Sequence, residues 1–213
     1  ELLLRAHELL ESAAVQQSDL AEFIQKAEKV AEKLRFDWVG AAPTGESLRQ
    51  TFPLPECPAQ LTVIASDGSQ IYPDHHAISL YYLINTGGIV YRHGSNQKPY
   101  IHHGNPILCY TTDDLFDDQG RLISTSEINV QRDLAELELL GRLVPKNKPD
   151  PAIALKDGQL TLRVIDLPYH RQSQAQDAYI ELLSTIREVN VLLAGYIDSP
   201  RSSFVLSLLH LVS

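Results

Sequence analysis

At 213 residues, with 44% hydrophobic and 21% charged positions, the chain has the make-up of a globular protein large enough to bury a core. A net charge of −9 excludes a surface that grips nucleic acid non-specifically all over, although a carboxylate site is itself acidic and takes its positive charge from metal ions. No apolar run spans a bilayer, no signal pattern opens the chain, and Cys57 and Cys109 form neither a disulfide framework nor a zinc site; a cytoplasmic protein with two packed thiols is expected.

Residues 1–36 carry helical spacing, with Leu2, Leu9, Leu10 and Ala13 in one stretch. Leu20, Phe23, Ile24, Ala27 and Val30 form another, opened by Ser18 as a cap. An N-terminal helical pair follows. Pro43, Gly45, Pro53, Pro55 and Pro58 then mark a linker, so residues 1–60 form one segment and 61–213 the main domain.

The run Leu61, Thr62, Val63, Ile64, Ala65, Ser66 leads into Asp67, Gly68 and Ser69. Alternation places Leu61, Val63, Ala65 and Asp67 on one face, so a buried strand would deliver a carboxylate to the sheet edge. Gly68 permits a tight exit and Ser69 can bond the turned backbone. The spacing predicts further strands at 77–85 and 88–93, joined by a hairpin at Gly87 and Gly88, the first covered on both faces. Residues 94–106 read as a polar loop. Adjacent histidines on extended chain point in opposite directions, so His75–His76 and His102–His103 read mostly as surface residues. Residues 107–110 suit a short strand. Asp113, Asp114, Asp117 and Asp118 suit a solvated acidic turn.

Residues 126–143 form the longest helical pattern in the middle of the chain. Arg132 and Glu136 stand four apart and can pair. Ile128, Leu134, Leu137, Leu139, Leu140 and Leu143 surround most of the helix, so one of its glutamates must sit near buried surface. A break from Pro145 to Pro151 follows. The run Ala152, Ile153, Ala154, Leu155, Lys156 then ends in a second Asp-Gly, Asp157–Gly158, which is also a hairpin signal with 159–165. Residues 172–189 suit a helix and 191–197 a buried strand. Ser199 and Pro200 suit the start of a last helix, which reaches Ser213 without a cap.

Two strands ending in Asp-Gly, with a glutamate-bearing helix between them, resemble the NurA family of DNA-repair nucleases. The likeness rests on the run from Ser66 through Asp67, Gly68, Ser69, Gln70, Ile71, Tyr72, Pro73 and Asp74 to the histidines at 75 and 76. It extends to Tyr82–Gly87 and to Ile197, Asp198, Ser199, Pro200 and Arg201, covering roughly residues 60–213. The chain departs from the family pattern at Gln159, where a small residue is usual.

The resemblance implies an α/β, ribonuclease H-like mixed sheet flanked by helices. It implies phosphodiester hydrolysis of DNA, as single-strand endonuclease and 5′-to-3′ exonuclease, in double-strand break repair. It further implies a homodimer working beside a HerA-type hexameric ATPase. On this reading Asp67 and Asp157 are catalytic metal ligands, joined by Glu136 or Glu138, and hold Mn2+ or Mg2+ as two ions. Gly68, Ser69 and Arg201 would face DNA. The family's histidine-bearing C-terminal segment would lie beyond Ser213, making the chain a fragment. Two competitors remain: a non-catalytic ribonuclease H-like module that binds nucleic acid or a partner, and a phosphohydrolase using Asp67 on a small phosphate ester.

Overall fold

The computed structural model describes residues 22, 25–27, 29–30, 40–41, 52–117, 119–147, 151–199, 202–204, 207 and 210. The chain divides into two units, one of 1–56 with 199–213 and one of 57–198. In the first, residues 22, 25–27 and 29–30 are helical, Ala27 is buried, and Lys26 pairs with Glu22 at 2.9 Å. The first helix of the expected N-terminal pair lies outside the described residues. Among the described residues no helix is long and apolar enough to cross a membrane.

The second unit is built on β1 (Leu61–Ile71), β2 (Tyr82–His93), β3 (Tyr100–His103), β4 (Ile107–Cys109), β5 (Ala152–Asp157) and β6 (Leu192–Tyr196). Its helices are α1 (Thr112–Leu115), α2 (Thr125–Asn147) and α3 (Tyr169–Glu188). The strands lie in the order β3-β2-β1-β5-β6, with β4 also on β2. β1, β2 and β3 pair antiparallel, whereas β5 runs parallel to β1 and β6 parallel to β5. This is a mixed sheet flanked by helices, the architecture expected from the sequence. The parallel pairs need crossovers, and α2 and α3 supply them.

Alternation along β1 and β2 explains the packing. Thr62, Ile64 and Ser66 are buried on one face of β1, and Tyr82, Ile84, Thr86 and Val90 on the same face of β2. Ile64, Val90 and Ala154 meet Leu139, Leu140 and Leu143 of α2, whose other side packs on Tyr179 and Ile186 of α3. Sandwiched between sheet and helix, α2 is apolar most of the way round. A second core joins Tyr82, Ile84 and Cys109 to Leu115, Ile123 and Ile128.

Several local expectations give way to tertiary structure. Gly87 and Gly88 do not turn the chain, because β2 runs straight through them and neither has a positive φ. Gly88 instead admits the helix: a Cβ there would stand 2.4 Å from Leu143 Cδ1. The connection between β1 and β2 is residues 72–81, with Ile78 exposed. β2 is buried on one face rather than two, since residues 83, 85, 87, 89 and 91 are exposed or half-buried. The expected loop at 94–106 contains β3. α2 continues past Pro145 to Asn147, because a proline in the last turn forfeits only one helical bond, and the Asn147 side chain donates to Leu143 O at 3.0 Å. β6 is a partly exposed edge strand, not a buried one. Residues 159–165 form no strand, so Asp157–Gly158 closes no hairpin. Of the two thiols, Cys109 is buried but Cys57 is exposed.

Candidate functional site

On β1, the residues opposite the helix-covered set are Val63, Ala65, Asp67 and Ser69. Asp67 thus emerges on the face of the sheet away from α2, exposed, with its Oδ1 accepting the Gly68 N–H at 2.7 Å. Its partner across the β1–β2 ladder is Gly87, which puts no side chain beside the carboxylate. On the other flank, the β1–β5 register pairs Ser66 with Lys156 and brings Asp157 alongside Asp67. Both aspartates line one open cavity of about 510 Å³, together with Ser69, Asn85 and Tyr196.

Glu136 stands behind this cavity. It projects from α2 toward the other face of β1 and is 2% exposed. Its carboxylate occupies the space a side chain at position 68 would take, since a Cβ there would lie 2.7 Å from Oε1. Arg132 Nε approaches Oε1 to 3.1 Å, an ion pair without hydrogen-bond alignment, and Lys156 Nζ lies 3.8 Å from Oε2. Arg132 is anchored in turn on Gln70 Oε1 at 3.0 Å and Asp133 Oδ1 at 2.9 Å. Lys156, 4% exposed, also donates to Asp157 O at 2.9 Å. Burial pushes the Glu136 carboxyl up to about 7; the Lys156 and Arg132 cations oppose this, while the charges of Asp133 and Asp67 add to it.

Gly68→Ala tests this packing. The added methyl must displace Glu136 Oε1 and also meets Arg132 Cγ at 2.9 Å. A loss of about 1–3 kcal/mol of stability is expected in urea unfolding. An unchanged midpoint would show that Glu136 moves aside freely.

The sequence-predicted residues thus fall into separate places. Asp67, Asp157, Gly68 and Ser69 share the cavity. Glu136 backs it. Glu138, two residues on, lies on the exposed side of α2 with Arg142 Nε 3.9 Å from its Oε1. Arg201 lies outside the described residues. His75 and His76 are exposed in the 72–81 connection, while His102 and His103 sit on β3, with His103 paired to Gly87. Among the described residues no three histidine, cysteine or carboxylate groups gather into a set able to hold a metal ion. Two carboxylates facing one cavity still match magnesium or manganese, which take one or two protein carboxylates and complete their shell with water and phosphate oxygens.

Sequence reasoning passed over Lys156 and Tyr196. The signal for Lys156 was available: if Asp157 faces the open side, Lys156 faces the helix, and a buried lysine requires a carboxylate. That requirement also separates Glu136 from Glu138.

The family model described as the NurA domain matches residues 61–212. Among solved structures, similarity extends to a NurA bound to dAMP and manganese, at 12% identity and a TM-score of 0.35, covering 89% of this chain and 41% of that one. A NurA with manganese matches at 13% identity and a TM-score of 0.33, covering 91% and 46%. LC9-RNase H1, a type 1 RNase H with the type 2 active-site motif, matches at 9% identity and 0.31, covering 74% and 72%. The chain spans less than half the length of these NurA structures. No curated protein matches the sequence.

Proposed function

The chain belongs to the NurA family, whose domain covers residues 61–212, and from that premise we propose that it is a metal-dependent deoxyribonuclease. The observation that carries the reading is the pair Asp67 and Asp157, set on neighbouring parallel strands and lining one open cavity. With Gly87 opposite Asp67, no β2 side chain stands directly beside the carboxylate.

In this reading Asp67 and Asp157 hold the ion by their carboxylate oxygens. A manganese or magnesium ion there supplies positive charge that activates a water and stabilises the departing oxyanion of a cleaved phosphodiester. The protein's own part is placement. The Gly68 N–H fixes the Asp67 carboxylate, and the ladder from β1 to β5 sets the spacing of the two aspartates. Lys156, bonded to the carbonyl of Asp157, steadies the end of β5. Glu136 is the remaining carboxylate for the second ion expected from the sequence, and Arg132 and Lys156 hold it in place behind Gly68. Ser69 is at hand in the cavity for a phosphate oxygen.

Family membership supports the finer reading as well: single-strand endonuclease and 5′-to-3′ exonuclease action in break repair, by a homodimer beside a HerA-type hexameric ATPase.

The test is cleavage of labelled single- and double-stranded DNA by the full chain with Mn2+, Mg2+ or chelator. Degradation with a divalent ion, abolished by chelator and restored by excess Mn2+, is the expected result. DNA binding without cleavage under any ion would overturn the catalytic reading in favour of a binding module. Turnover confined to small phosphate esters would assign the site to the phosphohydrolase reading instead.

A further inference from the structure

We propose that Tyr196 is a stacking platform for a base of the bound strand, next to the phosphate held at Asp67 and Asp157, and that the substrate is therefore single-stranded at this point. The inference rests on the nuclease reading and deepens it.

Tyr196 is the last residue of β6, and its partner in the β5–β6 ladder is Asp157. Paired residues on adjacent strands share a face, so the ring stands on the same open side as the aspartate, and both line the cavity. Tyr196 is 58% exposed. Among the described residues it meets no other aromatic ring and its hydroxyl makes no hydrogen bond. A tyrosine that serves packing behaves otherwise: Tyr82 is buried and donates to Gln131 Oε1 at 2.9 Å.

The strand end that carries the ring is held firmly. The Gly158 N–H donates to Tyr196 O at 2.8 Å. Just before it, a Cβ on Gly195 would stand 2.6 Å from Gly158 O, so the chain leaving Asp157 lies directly against β6. The turn that follows β5 thus also fixes the tyrosine.

Electrostatics leaves this ring a binding task. The cavity centre is acidic, and among the described residues the only basic one lining it, Lys156, is buried and turned to Glu136. Within this cavity, the described residues therefore offer a polyanion the ion and apolar contact. Tyr196 stands at one end of the cavity and the exposed Ile89 and Ile101, paired across β2 and β3, at the other. A nucleotide fits such a site with its phosphate on the ion and its base on the ring, and a base free to stack is one not already stacked in duplex.

Binding of a short fluorescent single-stranded oligonucleotide to the full chain carrying Asp67→Asn, with Mn2+ at a concentration that saturates this variant's weakened site, separates stacking from cleavage. Adding Tyr196→Ala is expected to weaken binding about ten- to hundredfold, the range for loss of one stacked base. Tyr196→Phe restores it. An oligonucleotide with an abasic residue at the stacked position binds the Asp67→Asn chain more weakly, and Tyr196→Ala adds no further loss. Unchanged binding by Tyr196→Ala overturns the stacking role and leaves the nuclease reading intact, provided the unsubstituted chain cleaves DNA in parallel. A chain that neither binds nor cleaves the oligonucleotide overturns both.

Discussion

Asp67→Asn is expected to lower DNA cleavage on the order of 10³-fold, as befits loss of a ligand that holds the ion at the reacting phosphate. The substitution is isosteric, and an asparagine Oδ1 still accepts the Gly68 N–H that now bonds the aspartate at 2.7 Å. Stability should therefore stay within about 0.5 kcal/mol of the parent, the usual range for an exposed position. The useful readout is the pair of results together: a thermal midpoint that holds while the single-turnover cleavage rate collapses. Asp157→Asn should behave alike, because the ladder that pairs Ser66 with Lys156 sets both aspartates at one cavity. Calorimetric titration with Mn2+ gives a second check, since each variant removes one of two carboxylates and should weaken ion binding. A variant at Asp67 with full cleavage and full Mn2+ affinity would remove the site from this cavity.

Glu136→Ala has the largest expected effect on stability, about 3–5 kcal/mol at pH 8, where the carboxyl is ionised, because it strips the carboxylate from a buried cation. Lys156 is only 4% exposed and has one further bond, to the Asp157 carbonyl. Arg132 is better protected by Gln70 and Asp133, so most of the loss is expected to arise at Lys156. The cycle with Lys156→Met isolates this: Glu136→Leu combined with Lys156→Met should be markedly more stable than the sum of the single losses. Strict additivity in urea unfolding would show that the two groups do not support each other.

The same carboxylate makes stability depend on pH. Burial raises its folded value to about 7, from an ordinary 4.5, so the folded chain binds this proton more tightly than the unfolded one. The stabilising contribution is complete below about 4.5 and is lost as pH rises from there to about 7. Glu136→Gln has no proton to lose. The difference in midpoint between parent and Glu136→Gln should therefore shrink or reverse across that window, and a difference constant from pH 4.5 to 8 would contradict it.

The sequence by itself determined the face on which Asp67 lies and the strand that ends at Asp157. It did not determine the chain's course at Gly68 and Ser69, where a turn was expected, because pairing with β2 carries β1 straight on through them to Ile71. Alternation along residues 61–67 is a local property, and it put Asp67 on the face opposite Thr62, Ile64 and Ser66 without any knowledge of partners. The Arg132–Glu136 spacing likewise foretold the ion pair, because one helical turn suffices to make it. Family membership, too, was carried by the two Asp-Gly strands and the helix between them.

Tertiary structure decided what depends on residues distant in the chain. Glu136 and Glu138 are equivalent as helix formers; only the placement of α2 over β1, with Lys156 on the facing strand, turned one inward and left the other to Arg142. Gly87 and Gly88 read as a turn because glycine permits one, yet the need was for close approach by Leu143 and open space beside Asp67. Tyr196 lies far from Asp67 along the chain and carries no local mark of a site. It came to the cavity through the register of β6 on β5, a pairing set by long-range hydrogen bonds and by the packing of α3, which no local pattern encodes.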